Sequence, residues 1–353
     1  MRRISAPRAA AAAFVLLAGT IGVVGPLATS ASATTFNVTN ANDSGAGSLR
    51  QALTDAAANP GDDTVVVQAG LSPITLDTPI SWTGSGTDAV TITGNGNTVN
   101  LNGQPAGLVD NGGTGVTMDN LTLSGGGGTT GNDTAPIVSE GGAMVLTNCT
   151  ITGNHVAVGA SESLPDVAGG VLSEGGSLSI TNCTITNNSG TNNGSNVPGD
   201  AAGGVNSEGG QVIVTTSTVS GNHATATSTS VGDAGGGILS EGGPVTFRTV
   251  TDDCNAATTS GDGSNAGGGI ASEGGNVTTN GGSIVGNTAT ATGGGTAVGS
   301  VQSAGGTVSL GSDTTVSNDT TSCTAPPTTT TTAAPTTTAA AAKAVTAAPA
   351  FTG

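Results

Sequence analysis

Tyrosine is absent from this chain, tryptophan occurs once and phenylalanine four times. So little aromatic surface excludes an ordinary large-residue core, and it removes the ring platforms on which sugars usually stack. Lys and Arg together number 6 against 23 Asp and Glu. A chain this acidic has no electrostatic footprint for nucleic acid, so no nucleic-acid partner is expected. After the first thirty residues no apolar run approaches the ~18 needed to cross a bilayer as a helix, so the mature chain is expected to have no transmembrane span. Glycine is what the chain has instead, 61 of 353 residues. It does not recur at every third position, which excludes collagen. A repetitive β structure with many tight turns remains.

Both ends differ from the middle. Residues 1–33 read as a secretory signal peptide: Arg2, Arg3 and Arg8 precede the apolar stretch Ala9–Val24, and Ala31-Ser32-Ala33 is an A-x-A cleavage site. Arg2-Arg3 hints at twin-arginine export, but its surroundings favour the general route. Removal leaves Arg50, Arg248 and Lys343 as the basic side chains. Export places Cys149, Cys183, Cys254 and Cys323 where disulfides persist. From residue 324 to 353 the composition collapses to Thr, Ala and Pro, which predicts a disordered, extended stalk. Such tracts resemble the wall-spanning stalks of Gram-positive surface proteins. Ala350-Phe351-Thr352-Gly353 resembles the actinomycete sortase signal Leu-Ala-x-Thr-Gly, with Pro349 where Leu is usual and no apolar helix after it. Truncation and a chance match both stay open.

The middle, 34–323, is one repeat. Ser-Glu-Gly-Gly starts at Ser139, Ser173, Ser207, Ser240 and Ser272, and Ser-Ala-Gly-Gly at Ser303. Before each stands a branched apolar residue: Ile137, Val171, Val205, Ile238, Ile270 and Val301. After each, apolar and small polar residues alternate, as in Met144/Leu146 and Leu178/Ile180. Alternation with period two is a strand with one buried face. An asparagine follows in register: Asn154, Asn188, Asn222, Asn255, Asn287 and Asn318. Such columns predict a parallel β-solenoid whose coils stack at ~4.8 Å, with apolar columns inside and the asparagines forming an amide ladder. Segments 155–168, 189–202, 223–234, 256–266 and 288–298 are expected to be loops emerging at one corner and offering a recognition surface. Val90–Val99 and Val116–Leu123 read as weaker coils within a less regular region, 34–115, that precedes regular repeats from 116. Ser48-Leu49-Arg50-Gln51 is a capping box, and Leu49, Ala52, Leu53, Ala56 and Ala57 line one face of a short helix ended by Asn59-Pro60-Gly61. That helix would plug the open end of the solenoid, where a bare edge invites aggregation.

Residues 169–188, Gly-Gly-Val-Leu-Ser-Glu-Gly-Gly-Ser-Leu-Ser-Ile-Thr-Asn-Cys-Thr-Ile-Thr-Asn-Asn, resemble a common bacterial repeat, with Ser-Glu where Tyr-Asn is usual. The repeat belongs to surface proteins related to the polymorphic outer membrane protein repeats. The stretch from Phe36 to Leu53 is similar to the N-terminal cap of that class. The resemblance covers about residues 36–318. It implies an all-β, right-handed parallel β-helix exposed at a bacterial surface, a class that includes adhesins.

Parallel β-helices also carry pectate lyases and polygalacturonases, so a carbohydrate-active enzyme is weighed. A lyase base would have to be Arg50 or Arg248. Gly61-Asp62-Asp63 offers an Asp pair, and it reads as a turn into the strand Thr64-Val65-Val66-Val67. No catalytic centre and no cofactor-binding residue are expected. The oddity is the glutamate column Glu140, Glu174, Glu208, Glu241 and Glu273. Carboxylates ~4.8 Å apart repel by about 1 kcal/mol per pair in water and by more near a low-dielectric surface. Three reliefs stay open: side chains that splay out or accept glycine N–H groups, a calcium ladder, or shared protons. His155 and His223 stand two coils apart and read as solvated. Cys149 and Cys183 share a column within disulfide range, or are small buried residues, in which case Cys254 and Cys323 would pair. Thr150/Thr152, Thr184/Thr186 and Thr218/Ser220 suggest the threonine arrays of ice-binding solenoids. The leading expectation is a secreted or wall-associated structural or adhesin-like rod whose partner is a glycan or protein at an extracellular surface.

Overall fold

The computed structural model describes residues 32–83, 88–112, 115–130, 134–159, 166–194, 199–227, 232–317 and 323. Most of the expected signal peptide, the expected stalk 324–353 and Asn318 lie outside the described residues. The chain is a parallel β-solenoid of about eight coils with one helix.

The coil that begins at Val171 shows the plan. Val171–Glu174 lies in an eight-stranded sheet, here the motif sheet. Leu178–Thr181 and Thr184–Thr186 lie in a 15-stranded broad sheet. Ser189–Asn192 lies in a six-stranded flank sheet, and Ala201–Ala202 in a five-stranded flap sheet. The apolar columns stack in register: Met144 on Leu178, Leu178 on Val212, and so on to Val308. As far as Val277 they fill one main core with Ile137, Val171, Val205, Ile238 and Ile270, whereas Val308 is 43% exposed.

The glycine pair of the motif has two separate causes. The first glycine turns with positive φ, +85° at Gly175 and +89° at Gly209, a region that side chains with a Cβ avoid. The second has no room: a Cβ on Gly176 or Gly210 would collide with the carbonyl of Gly142 or Gly176 in the preceding coil. The turn is thus specified by conformation at one position and by close approach at the next.

The helix Leu49–Ala58 buries Leu49, Ala52, Leu53 and Ala56 against the first coil, and Ser48 accepts the Gln51 N–H at 3.2 Å. Only half of the expected capping box forms. The Ser48 N–H is taken by the Gly45 carbonyl, so the Gln51 amide turns to Asp55 Oδ1 instead, at 2.7 Å. Arg50 straps the helix down through Asp43 and the carbonyls of Thr78 and Pro79.

The segments expected to be corner loops are corrected. Each carries two stacked strands, such as His155–Val158 with Val167–Ala168, and Ser189–Asn192 with Ala201–Ala202. The flap strands are sandwiched. Val167, Ala201, Ala234 and Ala266 pack with Val156, Val158, Ala224, Ala226 and Ala257 of the flank in a second core. Ala168 and Ala202 cover Val138, Leu172 and Leu239 on the far face of the motif sheet in a third. Small side chains make this possible, because Ala and Gly let the flap lie close to both neighbours.

Candidate functional site

The flap over the motif sheet brings together residues about forty apart in sequence. Five of the eight motif strands end in the glutamate column, paired in register from Glu140 through Glu273. The first four of the five flap strands are preceded by a second column: Asp166, Asp200, Asp233 and then Asn265. Here each Oδ1 accepts the backbone N–H of the next member, Asp200 N–H to Asp166 at 2.6 Å and Asp233 and Asn265 continuing at 2.5 Å. Asn265 Oδ1 in turn accepts Thr296 N–H at 3.1 Å.

The two columns meet in a seam. Asp166, Asp200 and Glu241 each place a carboxylate oxygen within 4.8 Å of the others. Glu208 faces Asp166 and Glu241 faces Asp200, so each glutamate of this pair reaches an aspartate of the flap. Burial pushes the Glu208 carboxyl up to about 10, with Asp166, Glu241 and Glu174 adding to the effect. Burial also holds Asp200 well above the carboxylate range, reinforced by Glu241, Asp166 and Glu273. Buried oxygens remain without a donor: Glu208 Oε1, Glu241 Oε1 and Asp233 Oδ2, on an aspartate only 1% exposed.

Part of the first expected relief is corrected: the first glycine of each motif does not turn its N–H to the glutamate side chain. Gly141, Gly175, Gly209 and Gly242 donate to the backbone carbonyls of Glu174, Glu208, Glu241 and Glu273 in the next coil, at 2.6–2.7 Å. Glu140, at the start of the column, is exposed. The aspartate column was the missed part of the site. Its spacing of 34, 33 and 32 residues tracks the shrinking repeat, and that is the signal that could have found it.

The asparagine column lies at another corner. Asn154 Nδ2 donates to Asn188 Oδ1 at 2.9 Å, Asn188 to Asn222 at 3.1 Å, Asn222 to Asn255 at 3.0 Å and Asn255 to Asn287 at 3.1 Å. Each Oδ1 also takes the preceding asparagine's backbone N–H. Beside it, Asp252 stands in an apolar column between Val219 and Ile284. Burial pushes its carboxyl up to about 7, against the pull of Asn255 and Asn287.

Of the cysteines, Cys254 and Cys323 are bonded to each other. Cys149 and Cys183 are free, buried thiols, so the disulfide considered between them does not form. Their column has a different use. Cys183 Sγ accepts Cys149 N–H and donates to Thr181 O, and Ser217 Oγ in the next coil does the same for Cys183 N–H and Thr215 O. The thiols therefore stand in for a serine-like ladder.

The other candidates take up structural positions. Asp63 Oδ1 accepts Thr34 N–H and the Asn59 amide, and Asp62 accepts Ala89 N–H. Arg248 is exposed on the broad sheet. Phe247 and Trp82 are buried. His155 and His223 are at the surface on either side of Ser189, whose hydroxyl lies 3.0 Å from His155 Nδ1. Packing pushes His223 down. A groove of about 420 Å³ at the cap end is lined by Asn37, Val38, Thr39, Val66 and Gln68, none of them titratable. The chain matches no known family model, no curated protein and no solved structure.

Proposed function

We propose that this chain is an exported, right-handed β-helix of the polymorphic-outer-membrane-protein-like repeat class, carried on a Thr/Ala/Pro stalk as a structural or adhesive rod at a cell surface. The observation that carries this reading is the Cys254–Cys323 bond. Ser317 ends the last described strand, in the terminal coil. Six residues later Cys323 is bonded two coils back, where its Sγ also lies 3.5 Å from Gly286 O. Tension on a tail that begins at Thr324 would enter the rod at Cys254 and would not peel the bare edge of the final coil. An attachment that resists tension suits a displayed rod; a freely diffusing enzyme has no use for it. Partners on this reading are glycans or proteins met many copies at a time, since a surface without exposed large aromatics offers weak single contacts.

The test is to pull the chain by its tail in single-molecule force spectroscopy and to probe intact cells with a protease. Surface accessibility, with an unfolding force that drops on Cys254→Ser/Cys323→Ser replacement, is the expected result. An intracellular protein, or a force unchanged without the bond, overturns the reading.

A second reading has an observation of its own. The threonine array is longer than the sequence suggested. Thr98, Thr122, Thr150, Thr184, Thr218 and Thr251 stack in register over six coils of the broad sheet. A flat, regular hydroxyl and methyl array is the surface an ice-binding solenoid needs. Faceting of ice crystals in a cooled droplet would favour it, and rounded crystals would eliminate it.

A further inference from the structure

We propose that the seam between the flap and motif sheets is a divalent-cation site of the calcium class, formed by Asp166, Asp200 and Glu241. The geometry fits one ion. Ligands bound at about 2.4 Å lie at most ~4.8 Å apart, and the three carboxylate oxygens lie within 4.8 Å of one another. All three donors are hard oxygens, the type that calcium selects. None of the three residues is fully exposed, so solvent does not screen them as it would a surface acidic patch.

The second, independent observation is the set of oxygens left over. Asp233 follows Asp200 in the column, its N–H held by Asp200 Oδ1, and it is 1% exposed. Its Oδ1 accepts Asn265 N–H, while its Oδ2 has no hydrogen-bond partner. Glu241 Oε1 is likewise buried and without a donor. Buried carboxylate oxygens normally find donors, and leaving one unmet costs about 1–3 kcal/mol or more for a charged group. Among the described residues no basic side chain stands here: Arg50 is on the cap helix and Arg248 on the broad sheet's outer face. One coil further, the register carries Asp200, Asp233 and Glu273 into the equivalent positions. The site therefore uses an aspartate pair from the flap and one glutamate from the motif, and differs from a ladder of glutamates alone.

The inference is independent of the display reading, which stands or falls on location and tail attachment.

The experiment uses the full exported chain, stripped with a chelator and titrated with calcium chloride. At pH 7.5, millimolar calcium is expected to raise the melting temperature by several degrees. Asp200→Asn and Glu241→Gln should each abolish the calcium shift, and Glu140→Gln should retain it. Asparagine is tolerated in this column, since Asn265 already occupies it, so Asp200→Asn should fold, as circular dichroism would show. A calcium shift that persists in both variants overturns the site. Should neither variant fold, the wild-type chain decides, and melting indifferent to calcium at pH 7.5 overturns the proposal.

Discussion

At one corner of the coil Asn188 hands its amide proton to Asn222 at 3.1 Å while accepting one from Asn154 at 2.9 Å. At another, Asp200 hands its N–H to Asp166, and its own carboxyl group has nothing to give unless protonated. Both columns repeat at the strand spacing, and both are largely buried. An amide carries donor and acceptor in equal measure, so a stack of copies satisfies itself. A carboxylate only accepts, so a stack of copies accumulates charge and needs something from outside: a proton, a cation or a chain N–H. The aspartates meet part of that need with the backbone N–H of the next coil. The glutamates that face them do not draw on the first glycine of each motif, whose N–H is engaged by a backbone carbonyl of the next coil. In-register stacking thus rewards a side chain complementary to itself and penalises one that is not.

The most direct way to break the comparison is to turn one corner into the other. Asn222→Asp removes the donor to Ile185 O at 2.8 Å and to Asn255 Oδ1 at 3.0 Å. It sets a carboxylate against that same oxygen in a site 1% exposed. The expected loss is about 4 kcal/mol at neutral pH, as for a buried charge left unpaired. For a large single domain that is about 10 °C in melting temperature. Acid should restore part of it, because the introduced carboxyl group regains a donor once protonated. A variant that melts like the wild type at pH 7 would show that the ladder is ornamental to stability.

Next in size is the pH dependence of the unaltered chain without calcium. Glu208 is raised from 4.5 to about 10, Asp252 from 3.8 to about 7, and Asp200 also upward. A carboxyl group whose folded value exceeds its unfolded one binds its proton more tightly when folded. Stability is then greatest below about pH 4 and falls as pH rises toward 7 and, through Glu208, on toward 10. The Asp252 change alone corresponds to about 4 kcal/mol at most, lost between pH 4 and 8. Thermal melts from pH 4 to 9 check this. A melting temperature that climbs with pH over this range would mean that the seam is already charged and satisfied in the folded chain.

Much of the rod was legible because its main core is made of large branched residues at a fixed period. Met144, Leu178, Val212 and Val245 announce a column by hydropathy alone. The flank and flap were not legible for the converse reason. Thr288–Ala291 reads Thr-Ala-Thr-Ala, an alternation too weak in hydropathy to mark a buried face. Val167–Ala168 is two residues long and looks like any loop. With these strands reading as loops, the aspartates before them read as scattered surface charge. The asparagine ladder was accessible because its members stack on their own copies. The seam was not, because Glu241 meets Asp200 from a different strand one coil away, and a period does not show contacts between columns.

A smaller effect of opposite sign sharpens the contrast. Asp200→Asn moves the acidic corner toward the amide one. It preserves the acceptor for Asp233 N–H and supplies a donor where Glu241 now reaches Asp200. Without calcium, the variant should be more stable than the wild type by about 2 kcal/mol at pH 8, where the carboxylates must otherwise be held charged in a buried site. At pH 4 the two should melt together. Destabilisation at pH 8 would show that the aspartate has a favourable partner that outweighs its charge.

The smallest expected effect separates the amide from the stack. Asn206 is an asparagine as deeply buried as any in the ladder, with 0% exposure. It stands in the motif-sheet column between Leu172 and Leu239, in register with leucine on both sides. Its Oδ1 and Nδ2 both lack a hydrogen-bond partner. If asparagine stabilised this fold by some property of its own, Asn206 would be an asset. If the benefit comes only from an identical neighbour, Asn206 is a polar group buried at a cost of about 1–3 kcal/mol. Asn206→Leu continues the column Leu172–Leu239 beneath the flap and adds apolar burial in the same place. Leucine is close to asparagine in length but bulkier, and crowding under Ala202 takes back part of the gain. The net expectation is a stabilisation of about 1–2 kcal/mol, independent of pH from 5 to 8, since no titrating group is altered. Denaturant melts of the two chains measure it. A clear loss of stability in Asn206→Leu would mean that the buried amide meets partners of its own, and that an asparagine stabilises this solenoid outside its ladder as well as within it.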